Sequence, residues 1–347
     1  MAASRTSAEI AASTAEVSGK PTLKTIARIS GLAVPTVSRA LNDAPDIGHE
    51  TKKLIRKIAS DIGYVPNRAG VRLRTGRTNV ISLVMSTEMD LMSHTARLIS
   101  SVAGALRDTP YHLIVTPYFP DQDAMEPVRY IVETGSADAI ILNQIRPDDP
   151  RVNYMMDRHF PFATHGRTKR ADLHPYYDFD NQAFGTLAAQ RLIARGRKHI
   201  LLIAPPTEHN YAQHMIAGVS GAAREGGIDL TISKAVSSDN KSAEVVTFII
   251  DTLTRNPDID AVIVGSTTSA MAAVSAIEQC GKTVGKEVDV FAKEAVPFLK
   301  LFRADILTLS EKIGIAGEFL AKAAIQAIRN PDLPPMQALE VPSDDPP

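Results

Sequence analysis

From Asn79 to about Asn330, short apolar runs alternate with amphipathic helical stretches, and this alternation restricts the fold more than any other feature of the chain. Runs at 80–85, 112–116, 139–142, 161–164, 200–204, 261–265, 288–291 and 306–309 are nearly continuously apolar. That is the pattern of parallel strands covered on both faces, not of half-exposed antiparallel ones. Helical periods at 92–107, 124–133, 182–195, 243–255 and 269–279 lie between most of them. Strand–helix alternation over some 250 residues predicts an α/β fold of doubly wound parallel sheets. A polar, Asp-containing stretch at 166–181 divides the pattern and predicts two lobes. Ligands of such sheets bind beyond the carboxyl ends of the strands, so two lobes place one cleft between them.

The charge distribution separates this region from what precedes it. The 347 residues carry 38 Lys and Arg against 39 Asp and Glu, a net of −1. Residues 20–78 alone hold twelve basic and four acidic side chains, net +8, whereas 79–347 hold twenty-five and thirty-three, net −8. A compact basic segment is the electrostatic footprint of phosphate binding. The single cysteine, Cys280, excludes an internal disulfide framework and fits a reducing compartment. No apolar run reaches the roughly 18 residues of a membrane span, and the first 19 residues lack the apolar stretch of a signal peptide. The expected location is cytoplasmic, with no membrane partner.

Within the basic segment, 22–31 predicts a short helix with Thr22 as N-cap and Gly31 as its stop. A second helix, 34–42, starts with Pro35 in its first turn, where the missing N–H costs nothing. Val37, Ala40 and Leu41 turn inward at i, i+3 and i+4, leaving Val34, Pro35, Thr36, Ser38 and Arg39 outward. A third helix, 50–62, packs Leu54, Ile55, Ile58 and Ala59. Two short helices about a tight turn, braced by a third, predict a helix-turn-helix. A small helical cap with solvated Lys and Arg is the alternative; the +8 charge favours DNA.

The stretch from Leu23 to Asn42, then Gly63-Tyr-Val-Pro-Asn67 and Leu73-Arg-Thr-Gly-Arg-Thr78, resembles the head-piece and hinge of the LacI family of bacterial transcription regulators. The resemblance continues through Asp180-Asn181, Ala217-Gly218 and Cys280-Gly281, over roughly residues 22–330. It implies a DNA-binding domain (21–65), a hinge helix (66–78) and a two-lobed effector-binding and dimerisation domain resembling periplasmic binding proteins (79–330), while composition predicts a disordered N-terminal extension (1–20) and a Pro-rich tail (331–347). It also implies the partners: operator DNA, a small, carbohydrate-like effector and a second copy of the chain, with no cofactor.

The resemblance carries roles over to individual residues. The 34–42 helix would enter the major groove, with Arg39 on guanine O6 and N7. Thr36, Ser38 and Asn42 would bond phosphates, and Thr22, Asn67 and Arg68 belong to the same DNA-facing set. Val34 and Pro35 have no hydrogen-bonding side chain, so readout there is apolar. Ala33 stands where the family often has a serine N-cap, which weakens that helix start by about 1 kcal/mol. Leu73 would wedge into the minor groove, and Gly70, where alanine is common, costs about 1 kcal/mol of helix propensity.

In the effector region the match to the family is partial. Ser86 to His94 replaces the usual Asp-x-x-Asn-Pro-Phe-Phe, with Asp90, Met92 and Ser93 at its Asn and two Phe positions. His165-Gly166-Arg167 replaces Ile-Asp-Arg, Met215 lies where an arginine is common, Ser266-Thr267 replaces Asn-Asp, and Lys293-Glu294 replaces Phe-Asp. Asp90, His165, Arg167, Tyr211, Thr267, Lys293 and Asp180 are the candidate effector residues. A satisfied core histidine is the competing role for His165, and a helix N-cap for Asp180. The substitutions together imply an effector unlike the commonest hexoses and pentoses. His209 and His214 lie five apart without a Cys or carboxylate at metal spacing, so no zinc site is expected.

The sequence contains no Gly-x-Ser-x-Gly, P-loop or Gly-x-Gly-x-x-Gly after a strand, which argues against an enzyme. A periplasmic solute-binding protein would share the two lobes but not the head-piece. The favoured function is a repressor of carbohydrate-utilisation genes, the alternative an activator or a corepressor-dependent regulator with a non-sugar effector.

Overall fold

The computed structural model describes residues 19–65, 72, 76–87, 92–294 and 298–342. The chain divides at Thr78/Asn79 into two compact units.

The first unit contains α1 (Leu23–Ser30), α2 (Val34–Leu41) and α3 (His49–Asp61). Thr22 and Thr25 form a reciprocal capping box that starts α1, and Gly31 ends it at φ 74°. No side chain caps α2, whose N-cap is Ala33, and Pro35 lies in its first turn. Ile26, Ile29, Val37, Ala40, Ile55 and Ile58 are fully buried and join the three helices in one small core. Within each helix those residues are spaced i, i+3, so each helix turns one apolar stripe inward.

The second unit holds two wholly parallel sheets. The first sheet is built from β1 (Val80–Ser86), β2 (His112–Tyr118), β3 (Ala139–Leu142), β4 (Phe162–His165), β5 (Tyr176–Phe179) and β11 (Gln337–Glu340), in the order β11-β5-β4-β3-β1-β2. The second is built from β6 (His199–Ile203), β7 (Asp229–Ile232), β8 (Ala261–Val264), β9 (Asp289–Glu294) and β10 (Ile306–Ser310), in the order β10-β9-β8-β6-β7. Helices α4 (Met92–Ala105), α5 (Met125–Thr134), α6 (Pro150–Asp157) and α12 (Ile313–Arg329) belong to the first lobe. Helices α7 (Asn181–Ala194), α8 (Asn210–Gly226), α9 (Ser242–Arg255), α10 (Thr267–Gln279) and the short α11 (Leu299–Phe302) belong to the second. Central strands β1, β3 and β8 are buried along their whole length, as continuous apolar runs require. The chain passes to the second lobe between β5 and α7 and returns between β10 and α12.

Two readings of the sequence are corrected here. The polar stretch at 166–181 contains a strand, β5, in which Asp178 interrupts the apolar pattern. The Pro-rich end is not wholly a tail: β11 pairs in parallel with β5, Gln337 opposite Tyr176 through Glu340 opposite Phe179. Its alternating exposure is that of an edge strand, too short and polar to resemble the central ones. The hinge residues Asn67, Arg68 and Leu73, and Asp90 in the first lobe, lie outside the described residues. No helix among the described residues is long and apolar enough to cross a membrane.

Candidate functional site

The carboxyl ends of both sheets border one cavity with about 870 Å³ of empty space, its open mouth included. His94 of α4, Asn143 and Gln144 after β3, His165 at the end of β4 and Asp178 of β5 line it from the first lobe. Tyr211, the Gly265–Thr268 turn and Lys293 line it from the second. Asn181 and Glu311 lie where the chain crosses between lobes.

The floor of the cavity is charged. Glu311 is 4% exposed; its Oε2 meets Lys293 Nζ at 2.6 Å, and its Oε1 lies 3.0 Å from His165 Nε2 and 3.7 Å from His94 Nε2. Burial opposes ionisation of Glu311, yet Lys293 and the two imidazoles hold its carboxyl well below the usual carboxylate range. Burial also pushes the His94 imidazolium down, against the pull of Glu311. Lys293 donates to Asn181 Oδ1 at 3.1 Å and lies 4.5 Å from the centre of the Phe179 ring, so carbonyl, carboxylate and π-face share one cation.

Backbone geometry holds the polar rim. Gln144 adopts φ 51°, a left-handed conformation uncommon outside glycine. The buried Arg151 donates to the carbonyls of Asn143 and Gln144 at 3.3 and 2.9 Å and is itself tied to Asp149. This clamp fixes the turn that aims both amides at the cavity. On the opposite wall, Ser266 caps α10 through a second capping box, so Thr267 and Thr268 present a helix N-terminus to the ligand space. A Cβ at Gly265 would come within 2.8 Å of Pro205 and of Ser238 Oγ. The lobes meet through Asn210, whose N–H donates to the Ile145 carbonyl and whose Nδ2 donates to the Arg167 carbonyl, at 2.8 and 2.7 Å.

Of the candidate effector residues, His165, Tyr211, Thr267 and Lys293 come together around the cavity. Arg167 and Asp180 are not among the lining residues. Arg167 Nε donates to Asp178 Oδ2 at 2.6 Å and so orients a carboxylate that does face the cavity. Asp180 caps α7, accepting from the Ala183 N–H at 3.0 Å. Its carboxylate therefore serves the helix start, the role Asp favours there. His94, Asn143, Gln144, Asp178 and Glu311 were not singled out from sequence. Glu311 and Asn143 directly follow strands, a placement that could have marked them.

His209, 7% exposed, stacks on Tyr211 with ring centres 5.3 Å apart. Burial pushes its imidazolium pKa down from 6.5 to about 4. The unfolded chain then binds the proton first, so stability is fully present above pH 6.5 and is lost as pH falls towards 4. At about 1.4 kcal/mol per unit, chemical denaturation at pH 5 should show His209 alone removing about 2 kcal/mol. A His209→Gln variant should have a correspondingly flatter pH profile between 7 and 5; an unchanged slope would refute this assignment.

In the first unit, Pro35 and Arg39 are exposed along the outer face of α2, with Val34, Thr36 and Ser38 half-buried beside them. Asn42 Nδ2 donates to the Ser38 carbonyl at 2.6 Å, so this amide closes its own helix end. Arg39 forms an ion pair with Asp46.

Residues 22–67 match the family model described as bacterial regulatory proteins, lacI family, and residues 80–329 match that of periplasmic binding proteins and the sugar binding domain of the LacI family. The chain is 31% identical to the HTH-type transcriptional regulator AglR of Rhizobium meliloti (strain 1021), over 91% of this chain and 90% of that one. It is 30% identical to RafR of Escherichia coli, over 82% and 84%. Among solved structures, the lac repressor dimer bound to operator and the anti-inducer ONPF superposes with a TM-score of 0.80 at 17% identity, covering 94% of this chain and 97% of that one. The CelR–cellobiose complex superposes at 0.67 and 22% identity, over 93% and 98%. With both its units matched and relatives of this identity along most of its length, the chain belongs to the LacI family of bacterial regulatory proteins.

Proposed function

We propose that this regulator represses carbohydrate-utilisation genes, binding a palindromic operator as a homodimer and releasing it when a sugar-like effector enters the cleft. The observation that carries this reading is the joining, in one chain, of a basic helix-turn-helix to a polar cavity bordered by two lobes. On the DNA side, Arg39 reads guanine, Val34 and Pro35 make apolar base contacts, and Thr22, Thr36, Ser38 and Asn42 approach phosphates. Asn67, Arg68 and Leu73 serve the hinge.

In the cleft, His165, Tyr211, Thr267 and Lys293 contact the effector, joined by Asn143, Gln144 and Asp178. Amides, a carboxylate and a helix N-terminus beside the Phe179 and Tyr211 rings suit a hydroxyl-rich ligand. The cellobiose held by CelR supports a ligand of disaccharide size. Arg167 contributes by fixing Asp178. Phe298, Leu301, Phe302 and Met271 of the second lobe are 44, 87, 65 and 46% exposed, an apolar surface that supports pairing with a second copy.

A thermal-shift screen of sugars, polyols and their phosphates tests the cleft. A true effector at 100 times its dissociation constant adds about 2.7 kcal/mol of stability. A response to none of them, at concentrations that saturate typical sugar sites, would refute the sugar-like effector.

A further inference from the structure

We propose that His94, His165 and Glu311 form a binding site for a divalent transition-metal ion, with zinc the fitting ion, in the wall of the effector cavity. The inference goes beyond the effector reading and does not depend on it. One ligand atom from each of His94, His165 and Glu311 lies within 4.8 Å of the others. Tetrahedral zinc, bound to nitrogen and oxygen at about 2.0–2.2 Å, sets its ligand atoms roughly 3.3 Å apart. The two distances from Glu311 Oε1 to the imidazole nitrogens, 3.0 and 3.7 Å, bracket that value.

The longer distance exceeds a hydrogen bond, so His94 faces the carboxylate without being bonded to it. Its other nitrogen, Nδ1, is buried and has no hydrogen-bond partner among the described residues. The two imidazoles stack with centres 5.2 Å apart, and the Nε2 of each faces the same carboxylate oxygen. Lys293 occupies the opposite oxygen, Oε2, so Oε1 is the oxygen that faces both imidazoles. Two imidazoles and a carboxylate are a donor set that suits zinc and its neighbours. All three residues line the cavity, so the fourth coordination position faces the ligand space.

The ion would tie α4 and β4 of the first lobe to the β10–α12 crossover. It therefore bears on the same lobe arrangement as the effector. Spacing along the chain does not reveal the site, because its ligands lie at positions 94, 165 and 311.

The test uses the full chain, stripped with a chelator and titrated with Zn2+ by calorimetry and with Co2+ by visible absorption. One ion per chain with a tetrahedral Co2+ spectrum is expected. His94→Asn and His165→Asn should each weaken Zn2+ by roughly tenfold or more, while His214→Asn leaves it unchanged. Lys293→Met should tighten Zn2+ by roughly fivefold or more, because it removes a cation competing for Glu311. That gain also decides the matter if a histidine variant fails to fold, since a merely structural cluster would not produce it. Absence of Zn2+ binding, equal binding by the histidine variants, or no gain in Lys293→Met overturns the proposal. Zn2+ is titrated without sugar, and sugars are screened with chelator present, so failure of one reading leaves the other standing.

Discussion

Arg39→Ala is expected to abolish sequence-specific DNA binding while leaving the melting temperature of the protein nearly unchanged. The side chain is 58% exposed and touches the rest of its unit through an ion pair with Asp46, itself 44% exposed. Exposed pairs of this kind contribute at most about 1 kcal/mol. A bidentate arginine–guanine contact, by contrast, discriminates by about 1–3 kcal/mol. A homodimer loses it in both half-sites, so specific affinity should fall by roughly 30-fold to more than 10⁴-fold. Residual binding to unrelated duplex should persist, because phosphate attraction comes from the +8 charge of residues 20–78 and only one charge of twelve is removed per chain. Fluorescence anisotropy with specific and scrambled duplexes separates the two. Equal loss on both would make Arg39 a phosphate contact; no loss on either would remove α2 from the groove.

Gly218→Ala should be among the most damaging single-methyl changes in the protein. A Cβ at Gly218 would lie 2.1 Å from the Gln182 carbonyl oxygen and 2.9 Å from the Thr186 nitrogen. The contact is reciprocal: a Cβ at Gly185 would lie 2.5 Å from the Met215 carbonyl oxygen. Helices α7 and α8 thus meet backbone against backbone, and no side-chain rotation relieves the clash. Overpacking a core costs about 1–3 kcal/mol where neighbours yield, and more where they cannot. A loss above about 3 kcal/mol is expected, seen as a lower denaturation midpoint or insoluble protein. Gly221, one turn further along α8, is the control: a Cβ there meets nothing within 4 Å. Gly221→Ala should be neutral or stabilise by up to about 1 kcal/mol through helix propensity. Similar behaviour of the two variants would contradict the helix contact described here.

These two residues also illustrate what could be read from the sequence. Arg39 stood out because an apolar stripe and Pro35 mark a short helix that turns it outward, and the resemblance gives that helix its recognition role. Gly218 could be seen only as part of a resemblance, since its reason lies in α7, more than thirty residues away. The central strands were legible because burial on both faces leaves an uninterrupted apolar run. Strands β5, β7 and β11 were not: Asp178 breaks the first, and the other two are edges whose exposed faces carry polar residues. Lys293 and Thr267 were found through the resemblance, at positions where the family has other pocket residues. Arg167 was given a direct ligand role, and Asp180 either that or a helix N-cap, because sequence cannot distinguish a carboxylate or guanidinium that faces a cavity from one that supports its wall. Glu311 was missed because its significance depends on the company of His94, His165 and Lys293, which only the fold assembles.

The central claim is linkage between the cleft and the DNA-binding unit. An effector moves DNA affinity only by its differential affinity for the two lobe arrangements. The most direct measurement is a titration of the full-length protein, bound to a duplex it has itself enriched from a random pool, with the sugar giving the largest thermal shift. The enriched duplex should be palindromic, and saturating sugar should weaken its binding by roughly 5- to 150-fold while binding to scrambled duplex changes little. Enrichment of no palindrome, or an affinity indifferent to a sugar that demonstrably binds, would contradict the account.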